Sequence, residues 1–191
     1  MTAARVTEWD RAAGFGLGDD VVGARRAEDA AAAQAVGAKA IWLDLLDSQY
    51  GGDDSIDRCA EALIASLSAL DIAAVFMPLG LHHSDHVRTR EACLSARIRA
   101  LAEARLPLRV PWYIYADAIY REIPDLLEHT LLELRARGRQ LEDVRFQQSG
   151  PREQKRRAIA CYPTQLRALD SAGQLGTQGI FTDERFWKLI A

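Results

Sequence analysis

Short apolar runs that alternate with longer helical segments constrain the fold of this chain more than any other feature. The runs IAAVFMPLG (72–80) and LRVPWYIYAD (108–117) are almost continuously apolar, and a third run covers 40–45. Strands that are buried on both faces have this character, because neither face meets water. The alternation therefore predicts an α/β fold, a Rossmann-like three-layer structure with a mainly parallel sheet covered by helices on both faces.

The segments between the runs have apolar residues near positions i, i+3, i+4 and i+7, which is typical of amphipathic helices. On this pattern we predict helices over 21–36, 55–70 and 86–104, and we expect the first twenty residues, rich in Gly and Asp, to be loop. The chain thus opens on a helix with no strand before it. This is unusual, because doubly wound folds commonly open on a strand at the centre of the sheet.

The second half of the chain is less regular. The stretch 125–138 predicts a helix, although its mixture of Leu and charge also fits a pair of antiparallel strands. We predict a short strand over 144–150 and a helix over 153–169 with a break at Pro163, because proline cannot continue a helix. The aromatic residues of FTDERFWKLIA (181–191) are expected to anchor the end of the chain to the body.

Composition limits the classes of function. A length of 191 residues predicts a single domain over 1–191, and a net charge of −3 argues against nucleic acid or an anionic membrane surface as partner. No apolar run reaches the roughly 18–20 residues of a membrane helix, and no signal peptide is recognisable, so we expect a soluble cytoplasmic protein. The cysteines match no zinc or disulfide spacing and are expected to be reduced, mostly buried thiols.

The loop LHHSDH holds three of the four histidines in the chain, between the end of a predicted strand and the start of a helix. Ligands of open α/β sheets bind beyond the carboxyl ends of the strands. His83 and His86 are three positions apart and could face one pocket, while Asp85 could fix a histidine tautomer and Ser84 or Asp85 could cap the helix. The alternative is a solvated polar turn. Metal binding is the better hypothesis, and we expect His82 to take no part in it.

Zinc requires three or four protein ligands, so other residues must complete such a site. His129 lies in a helical stretch and is expected to be a surface or core histidine. The candidate carboxylates at other strand ends are Asp44, Asp47 and Asp117.

The run GLHHSDHVRTREA, with His83-Ser84-Asp85-His86, resembles a signature of the LmbE-like family, the GlcNAc-phosphatidylinositol de-N-acetylase superfamily. The segment around Arg25, Glu28 and Asp47 is similar to the helix and Asp-containing loop of that family. VPWYIYADAIY, Cys161-Tyr162 and the terminal FWKL also fit, so the resemblance extends over nearly the whole chain.

The resemblance implies a zinc-dependent N-deacetylase, a hydrolase of C–N bonds other than peptide bonds, acting on an N-acetylated amino sugar or glycoconjugate. By this resemblance His86 is the metal ligand, His83 stabilises the oxyanion and Asp85 orients its neighbours. Arg25 and Asp47 are then candidates for substrate contact, although Arg25 could instead only pair with Glu28 at i+3. The sequence leaves homo-oligomerisation open.

One family element is missing. The family carries two zinc ligands and the general base in a His-x-Asp-Asp segment, and no such segment occurs in this sequence. We therefore expect the chain to lack one strand–helix unit, on the order of 30 residues, relative to the family. Three interpretations stay open: a complete active enzyme that has this segment upstream, a relative without catalysis, or a member with other ligands. The rival function is a non-catalytic LmbE-like domain that binds a sugar or a protein partner.

Overall fold

A computed structural model describes residues 6–50, 55–107, 109–146, 152–171, 173 and 183–190. The helices are α1 (Glu8–Ala12), α2 (Val21–Ala35), α3 (Ile56–Ser68), α4 (Ser84–Ala102), α5 (Leu126–Ala136), α6 (Arg152–Ala160) and α7 (Pro163–Ser171). The strands are β1 (Val75–Pro78), β2 (Trp112–Tyr115), β3 (Leu141–Val144) and β4 (Phe186–Leu189). A single 3-10 turn covers Ser48–Tyr50. None of the helices in the described ranges is long and apolar enough to cross a membrane.

The chain divides into two compact units. The first comprises Met1–Gly52 with Gln148–Thr182, and the second comprises Asp53–Gln147 with Asp183–Ala191. In the first unit α2 packs against α6 and α1 packs against α7. The buried carboxylate of Glu28 accepts hydrogen bonds from the backbone N–H and the hydroxyl of Thr164, at 2.8 and 2.7 Å. Because these groups lie in the first turn of α7, Glu28 satisfies a helix N-terminus that would otherwise lack a partner.

The second unit contains a four-stranded sheet in the order β1-β2-β4-β3. β1 and β2 are parallel, with Val75 opposite Trp112 and Pro78 opposite Tyr115. β4 runs antiparallel to both β2 and β3. The predicted α/β fold is confirmed, but the prediction of a mainly parallel sheet is wrong for the described strands, because the sheet is mixed.

β1 and β2 come from the continuous apolar runs that predict parallel strands. β4 differs from them in sequence, because the charged Lys188 lies between the buried Trp187 and Leu189. Its burial alternates, as does that of β2, so burial alone does not distinguish the parallel from the antiparallel strand. The terminal segment was expected only to anchor the chain, and it forms the strand between β2 and β3.

One face of the sheet packs into the core of the second unit. Its largest fully buried side chains include Trp112 and Trp187 from the strands and Ile64 from α3, which packs against α4. Burial of each large apolar side chain contributes about 1.5–3 kcal/mol. The opposite face carries a cluster of stacked and edge-on rings formed by Phe76, Tyr113, Phe146 and Phe186. Phe76 remains 48% exposed, so the expected full cover of both faces is not met at β1.

Three local predictions are wrong. Residues 40–45 are not a strand; Ile41 is 57% exposed, and the Trp42 indole donates to Asp29 at 3.1 Å. The first twenty residues are not all loop, because Thr7 caps α1 through a reciprocal capping box with Asp10. The predicted strand over 144–150 is displaced toward the N-terminus, since β3 ends at Val144, and residues 147–150 lie outside the described ranges.

The other local predictions agree with the structure. The predicted helices at 21–36, 55–70 and 86–104 correspond to α2, α3 and α4, and the ambiguous stretch 125–138 forms α5. The break at Pro163 separates α6 from α7. The three cysteines are free thiols, and burial raises the pKa of Cys93 to about 12.

Candidate metal centre

The histidine loop connects the end of β1 to the start of α4 by a tight turn. Gly80 has φ +77° and His82 has φ +59°, both in the left-handed region. A Cβ atom on Gly80 would lie 3.1 Å from the carbonyl oxygen of His86 and 3.1 Å from the Cα of Val87. Because glycine lacks that atom, the first turn of α4 passes directly against the loop. This contact brings the His86 backbone beside the end of β1.

Asp117 fixes the loop from the neighbouring strand. It follows the end of β2 and is only 4% exposed. Its Oδ2 accepts hydrogen bonds from the backbone N–H groups of Gly80 and Leu81, both at 2.9 Å. The buried guanidinium of Arg90 donates to the carbonyl of Leu79 at 3.2 Å. The parallel pairing of β1 and β2 thus brings two carboxyl ends together, as expected for the ligand edge of an α/β sheet.

His86 is bonded to the second oxygen of the same carboxylate. Its Nδ1 lies 2.7 Å from Asp117 Oδ1, and its side chain is 43% exposed. An ionised carboxylate only accepts hydrogen bonds, so Nδ1 carries a proton, and in the neutral ring Nε2 keeps its lone pair. Metal-binding histidines have this arrangement, with a carboxylate that orients the ring and raises its basicity. The open Nε2 of His86 can therefore bind a metal.

His83 has the opposite arrangement. Its side chain caps α4, with Nδ1 accepting the backbone N–H of Asp85 at 3.2 Å. The expectation that Ser84 or Asp85 is the cap is therefore wrong. In the neutral ring an accepting Nδ1 requires the hydrogen to be on Nε2. The two imidazoles, with ring centroids 5.6 Å apart, thus offer one lone pair at His86 and one N–H donor at His83.

Asp85 and Asp117 occupy different places around these rings. Asp85 Oδ2 lies 3.8 Å from Nδ1 of His83, which is beyond hydrogen-bond distance. Asp117 uses Oδ1 for His86 and Oδ2 for the loop, so both of its oxygens are engaged in positioning the His86 ring and the backbone beside it. The orienting role that the resemblance gives to Asp85 stays a prediction, whereas the carboxylate in contact with His86 is Asp117.

Tyr120 is a residue of this site that sequence reasoning missed. Its ring lies 5.2 Å from that of His82 and 5.5 Å from that of His86, measured between centroids. Burial, and then the charge of Asp117, raise the pKa of the Tyr120 hydroxyl, so it remains protonated at neutral pH. The tyrosines of the run VPWYIYADAIY were a visible signal in the sequence. The periodicity of the run, however, does not show which of them lies beside the histidines.

Arg25 and Asp47 belong to the first unit, where a different carboxylate dominates. The Arg25 guanidinium bonds to Asp10 at 2.8 Å and to the hydroxyl of Tyr50 at 3.0 Å, while Asp47 lies 3.9 Å away. The alternative pairing of Arg25 with Glu28 does not form, because Glu28 binds α7. Substrate contact by Arg25 and Asp47 stays a prediction.

Asp10 is fully buried. Burial alone would raise its pKa, but hydrogen bonds from Thr7 and Tyr50 and the charge of Arg25 outweigh that effect and lower the pKa. Burial, followed by the hydrogen bond to Asp10, raises the pKa of Tyr50. The Asp10 carboxylate is thus enclosed by its partners, while Nε of Arg25 is buried without a hydrogen-bond partner.

The described ranges contain no group of three or more His, Cys, Asp and Glu side chains that could hold a metal. Asp44 and Asp47, two of the candidate carboxylates, lie in the first unit with side chains 87% and 54% exposed. His129 is an exposed residue of α5. The donor chemistry of His86 fits zinc, but this part of the chain supplies one ligand rather than a complete set.

No protein-family model and no curated protein matches the sequence. Solved structures do. A deacetylase triple mutant from the teicoplanin biosynthetic pathway is 20% identical, with a TM-score of 0.71 over 99% of this chain and 79% of that chain. The A40926 pseudoaglycone deacetylase Dbv21 is 21% identical, with a TM-score of 0.64 over 98% and 80% of the two chains. The zinc-inhibited form of teicoplanin deacetylase Orf2 is 19% identical, with a TM-score of 0.68 over 99% and 82%. The chain therefore has the same fold as these three structures.

Proposed function

We propose that the protein is a zinc-dependent N-deacetylase, an amide hydrolase that acts on an N-acetylated amino sugar or glycoconjugate. The observation that carries the proposal is the 2.7 Å contact between Asp117 and Nδ1 of His86, which leaves Nε2 of an exposed imidazole as a lone-pair donor. The family resemblance and the fold shared with three deacetylase structures support it. One of those structures is described as zinc-inhibited, so the metal has an effect on a protein of this fold.

The residues around the histidine loop would have different roles in the hydrolysis. A zinc ion in a site of this class supplies Lewis acidity and an activated water nucleophile. His86 would hold the metal through Nε2, and Asp117 would keep the ring in the binding tautomer. His83 would donate its Nε2 hydrogen to the oxygen of the tetrahedral intermediate, where negative charge develops. Asp85 would help to orient His83 through its backbone N–H, which donates to Nδ1 of that ring at 3.2 Å.

The other ligands and the general base must come from outside the described residues. We propose that they lie on a strand that pairs with the free side of β1, in the His-x-Asp-Asp segment that the family resemblance requires. β1 is the end strand in the sheet order, so one of its sides has no strand partner within the described ranges. A parallel strand added there would end beside residues 79–86, at the same edge as His86. An in-frame His-x-Asp-Asp codon sequence upstream of Met1 is the expected finding; a stop codon between any such sequence and Met1 contradicts this step.

The competing function is a non-catalytic domain that binds a sugar or a protein at the same loop. It is favoured by the absence of a three-ligand group in the part of the chain that the structure describes. The two proposals differ in one measurable property, because only the metalloenzyme needs His86 to bind a metal.

Zinc binding tests the proposal on purified protein that carries the complete ligand set, His86 together with the His-x-Asp-Asp segment. We expect zinc uptake at micromolar free metal, loss of that uptake in His86→Ala, and no change in His129→Ala, because His129 is an exposed residue of α5 and is not part of the histidine loop. The control removes the same imidazole from the chain without touching the site. Absence of zinc from the wild-type protein, or equal uptake by His86→Ala, contradicts the metalloenzyme proposal and favours the binding domain.

Acetate release tests the catalytic half on the chain that includes the His-x-Asp-Asp segment. With an N-acetylglucosamine conjugate as substrate, His83→Ala is expected to lower kcat about 10²–10³-fold, the usual cost of one lost oxyanion donor. Zinc content should stay at the wild-type level in this variant. Loss of zinc together with activity would show that His83 acts as a ligand rather than an oxyanion donor.

A further inference from the structure

Arg90 is a charged side chain that is buried beside the histidine loop. It lies on α4, four positions after His86, and is 4% exposed. Its Nη1 donates to the carbonyl oxygen of Leu79 at 3.2 Å, and its Nε and Nη2 donate to Oε1 of Glu91 at 3.0 and 2.8 Å. Residues four positions apart share one face of a helix, so Arg90 and His86 lie on the same face of α4.

The backbone that leaves β1 is held by two buried side chains. Arg90 binds the carbonyl of Leu79, and Oδ2 of Asp117 accepts hydrogen bonds from the next two backbone N–H groups, both at 2.9 Å. A Cβ atom on Gly80 would lie 3.2 Å from the Cβ of Arg90, so the arginine also packs against this backbone. Asp117 holds the His86 ring through its other oxygen at 2.7 Å. The segment therefore links the helix that carries His86 to the carboxylate that orients the ring.

The positive charge of Arg90 is balanced inside the second unit. Glu91, which accepts from Arg90, also accepts two hydrogen bonds from Arg137 at 2.9 and 2.8 Å. Arg137 is the C-cap of α5, so these contacts join the end of β1 to two helices. A buried ion pair contributes little net stability, and apolar side chains of similar volume often stabilise a fold as well. A guanidinium that is buried to hold one backbone carbonyl therefore points to a requirement for position rather than for stability.

We propose that Arg90 is a positioning residue of the histidine loop, which fixes α4 against the end of β1 and so keeps Nδ1 of His86 in contact with Asp117. Groups that orient a functional side chain need support of their own, because a displacement of about 1 Å is enough to loosen a site. Without the guanidinium, α4 is free to shift relative to Asp117, and the hydrogen of the His86 ring is no longer fixed on Nδ1. The consequence for metal binding rests on the proposed function, whereas the effect on the ring does not.

Nitrogen NMR of the imidazoles tests the proposal on the 191-residue chain without any metal. The signals of His86 are assigned by their loss in His86→Ala. In the wild type we expect the ring hydrogen on Nδ1. In Arg90→Met, whose new side chain has no donor for the carbonyl of Leu79, we expect a mixture of the two tautomers.

Arg99→Met is the matched control, because Arg99 lies on the same helix and its guanidinium bonds to Glu61 at 2.7 Å. This variant also loses an ion pair of α4, so it reports the effect of lower stability alone, and the His86 tautomer should stay as in the wild type. An unchanged tautomer in folded Arg90→Met, or an equal change in Arg99→Met, overturns the proposal.

Arg90→Lys covers the case in which Arg90→Met does not fold. The ammonium keeps a positive charge beside Glu91, so this variant should fold, but it lacks the planar fork that serves Glu91 and Leu79 together. We expect a mixture of tautomers here as well, with a smaller share of the second form than in Arg90→Met. A folded Arg90→Lys with the tautomer of the wild type overturns the proposal.

Zinc affinity separates this proposal from the proposed function. On protein that also carries the His-x-Asp-Asp segment, we expect Arg90→Met to bind zinc about tenfold more weakly than the wild type, the lower end of the range for loss of a partner outside the ligand set. Absence of zinc from the wild type contradicts the deacetylase function, and the tautomer of His86 then still decides the role of Arg90. Equal zinc affinity in the wild type and folded Arg90→Met contradicts the positioning role and leaves the deacetylase function in place.

Discussion

Asp10 in the first unit and Asp117 in the second are both buried aspartates, but they are used differently. Asp10 accepts hydrogen bonds from Thr7 and Tyr50 and pairs with Arg25, so every partner of its carboxylate is a group of the protein, although Nε of Arg25 has no hydrogen-bond partner. Asp117 binds two backbone N–H groups and then an imidazole whose side chain is 43% exposed. The contacts of Asp10 are thus all made within the fold, whereas those of Asp117 include a histidine whose second ring nitrogen can bind a ligand.

This difference separates a carboxylate that is enclosed by its partners from one that we propose to support metal binding. Burial, charge and hydrogen bonding are common to both, so none of these properties identifies a site. What distinguishes Asp117 is that its partner, His86, is 43% exposed on the side chain and keeps a lone pair. The corresponding partner of Asp10 is Arg25, which has no lone pair and cannot bind a metal.

The largest loss of stability is expected from removing the negative charge of Asp10, which is enclosed by Thr7, Tyr50 and Arg25. Asp10→Asn leaves the positive charge of Arg25 without its partner, and loss of one member of a buried pair costs about 3–5 kcal/mol. We expect the Tm to fall by roughly 6–20 °C in a chain of this length. The measurement is thermal unfolding followed by circular dichroism.

Asp47→Asn is the matched control, because Asp47 carries the same charge near the same guanidinium but at 3.9 Å and with a side chain 54% exposed. Exposed pairs contribute at most about 1 kcal/mol. A loss of stability in Asp47→Asn as large as that in Asp10→Asn would show that burial and the shorter distance to Arg25 do not make Asp10 the more important carboxylate.

An intermediate effect, on zinc affinity, is expected from changing the hydrogen bond between Asp117 and His86. In Asp117→Asn the carboxamide oxygen can still accept from Gly80 and Leu81, but its NH₂ group would face Nδ1 of His86. That ring would then carry its hydrogen on Nε2, which removes the lone pair needed for a metal. We expect zinc affinity to fall about 10–100-fold. Nitrogen NMR of the imidazoles should show the change of tautomer without any metal.

Asp85→Asn sharpens this test, because the family resemblance gives the orienting role to Asp85. If Asp117 alone orients His86, the tautomer of His86 is unchanged in Asp85→Asn. A change of the His86 tautomer in Asp85→Asn, with none in Asp117→Asn, would reverse the roles of the two carboxylates.

Local patterns predicted the parts of the site that are contiguous in sequence. The histidines lie within five positions, and the apolar runs around them indicate β1 and β2, so the sequence predicted that the loop carrying His83 and His86 lies between a strand and a helix. The contact between His86 and Asp117 joins residues 31 positions apart. It depends on which strands pair and in what register, and a single strand does not determine its partner.

Other features depend on the same long-range choices. The antiparallel β4 forms only because the end of the chain inserts between β2 and β3. Residues 40–45 have the composition of a buried strand, but strand formation requires a partner, and composition does not report whether one is available. The cap of α4 was missed for a different reason: His83 replaces the small polar side chains that usually cap helices.

The smallest effect is expected in acid, where the charge of Asp10 is titrated. The pKa of Asp10 is lower in the folded protein than its usual value near 3.9, so the unfolded chain binds more protons in this range. Its contribution to stability is complete above that usual value and is lost as pH falls through the folded pKa, at no more than about 1.4 kcal/mol per pH unit.

Urea unfolding of the wild type and of Asp10→Asn between pH 7 and pH 3 should therefore give free energies of unfolding that converge in acid. Glu61 and Glu91, whose pKa values are also lowered, titrate in both proteins and cancel in the comparison. Parallel curves would mean that the charge of Asp10 does not stabilise the first unit, and that shape rather than charge complementarity holds Arg25 and Tyr50 around it.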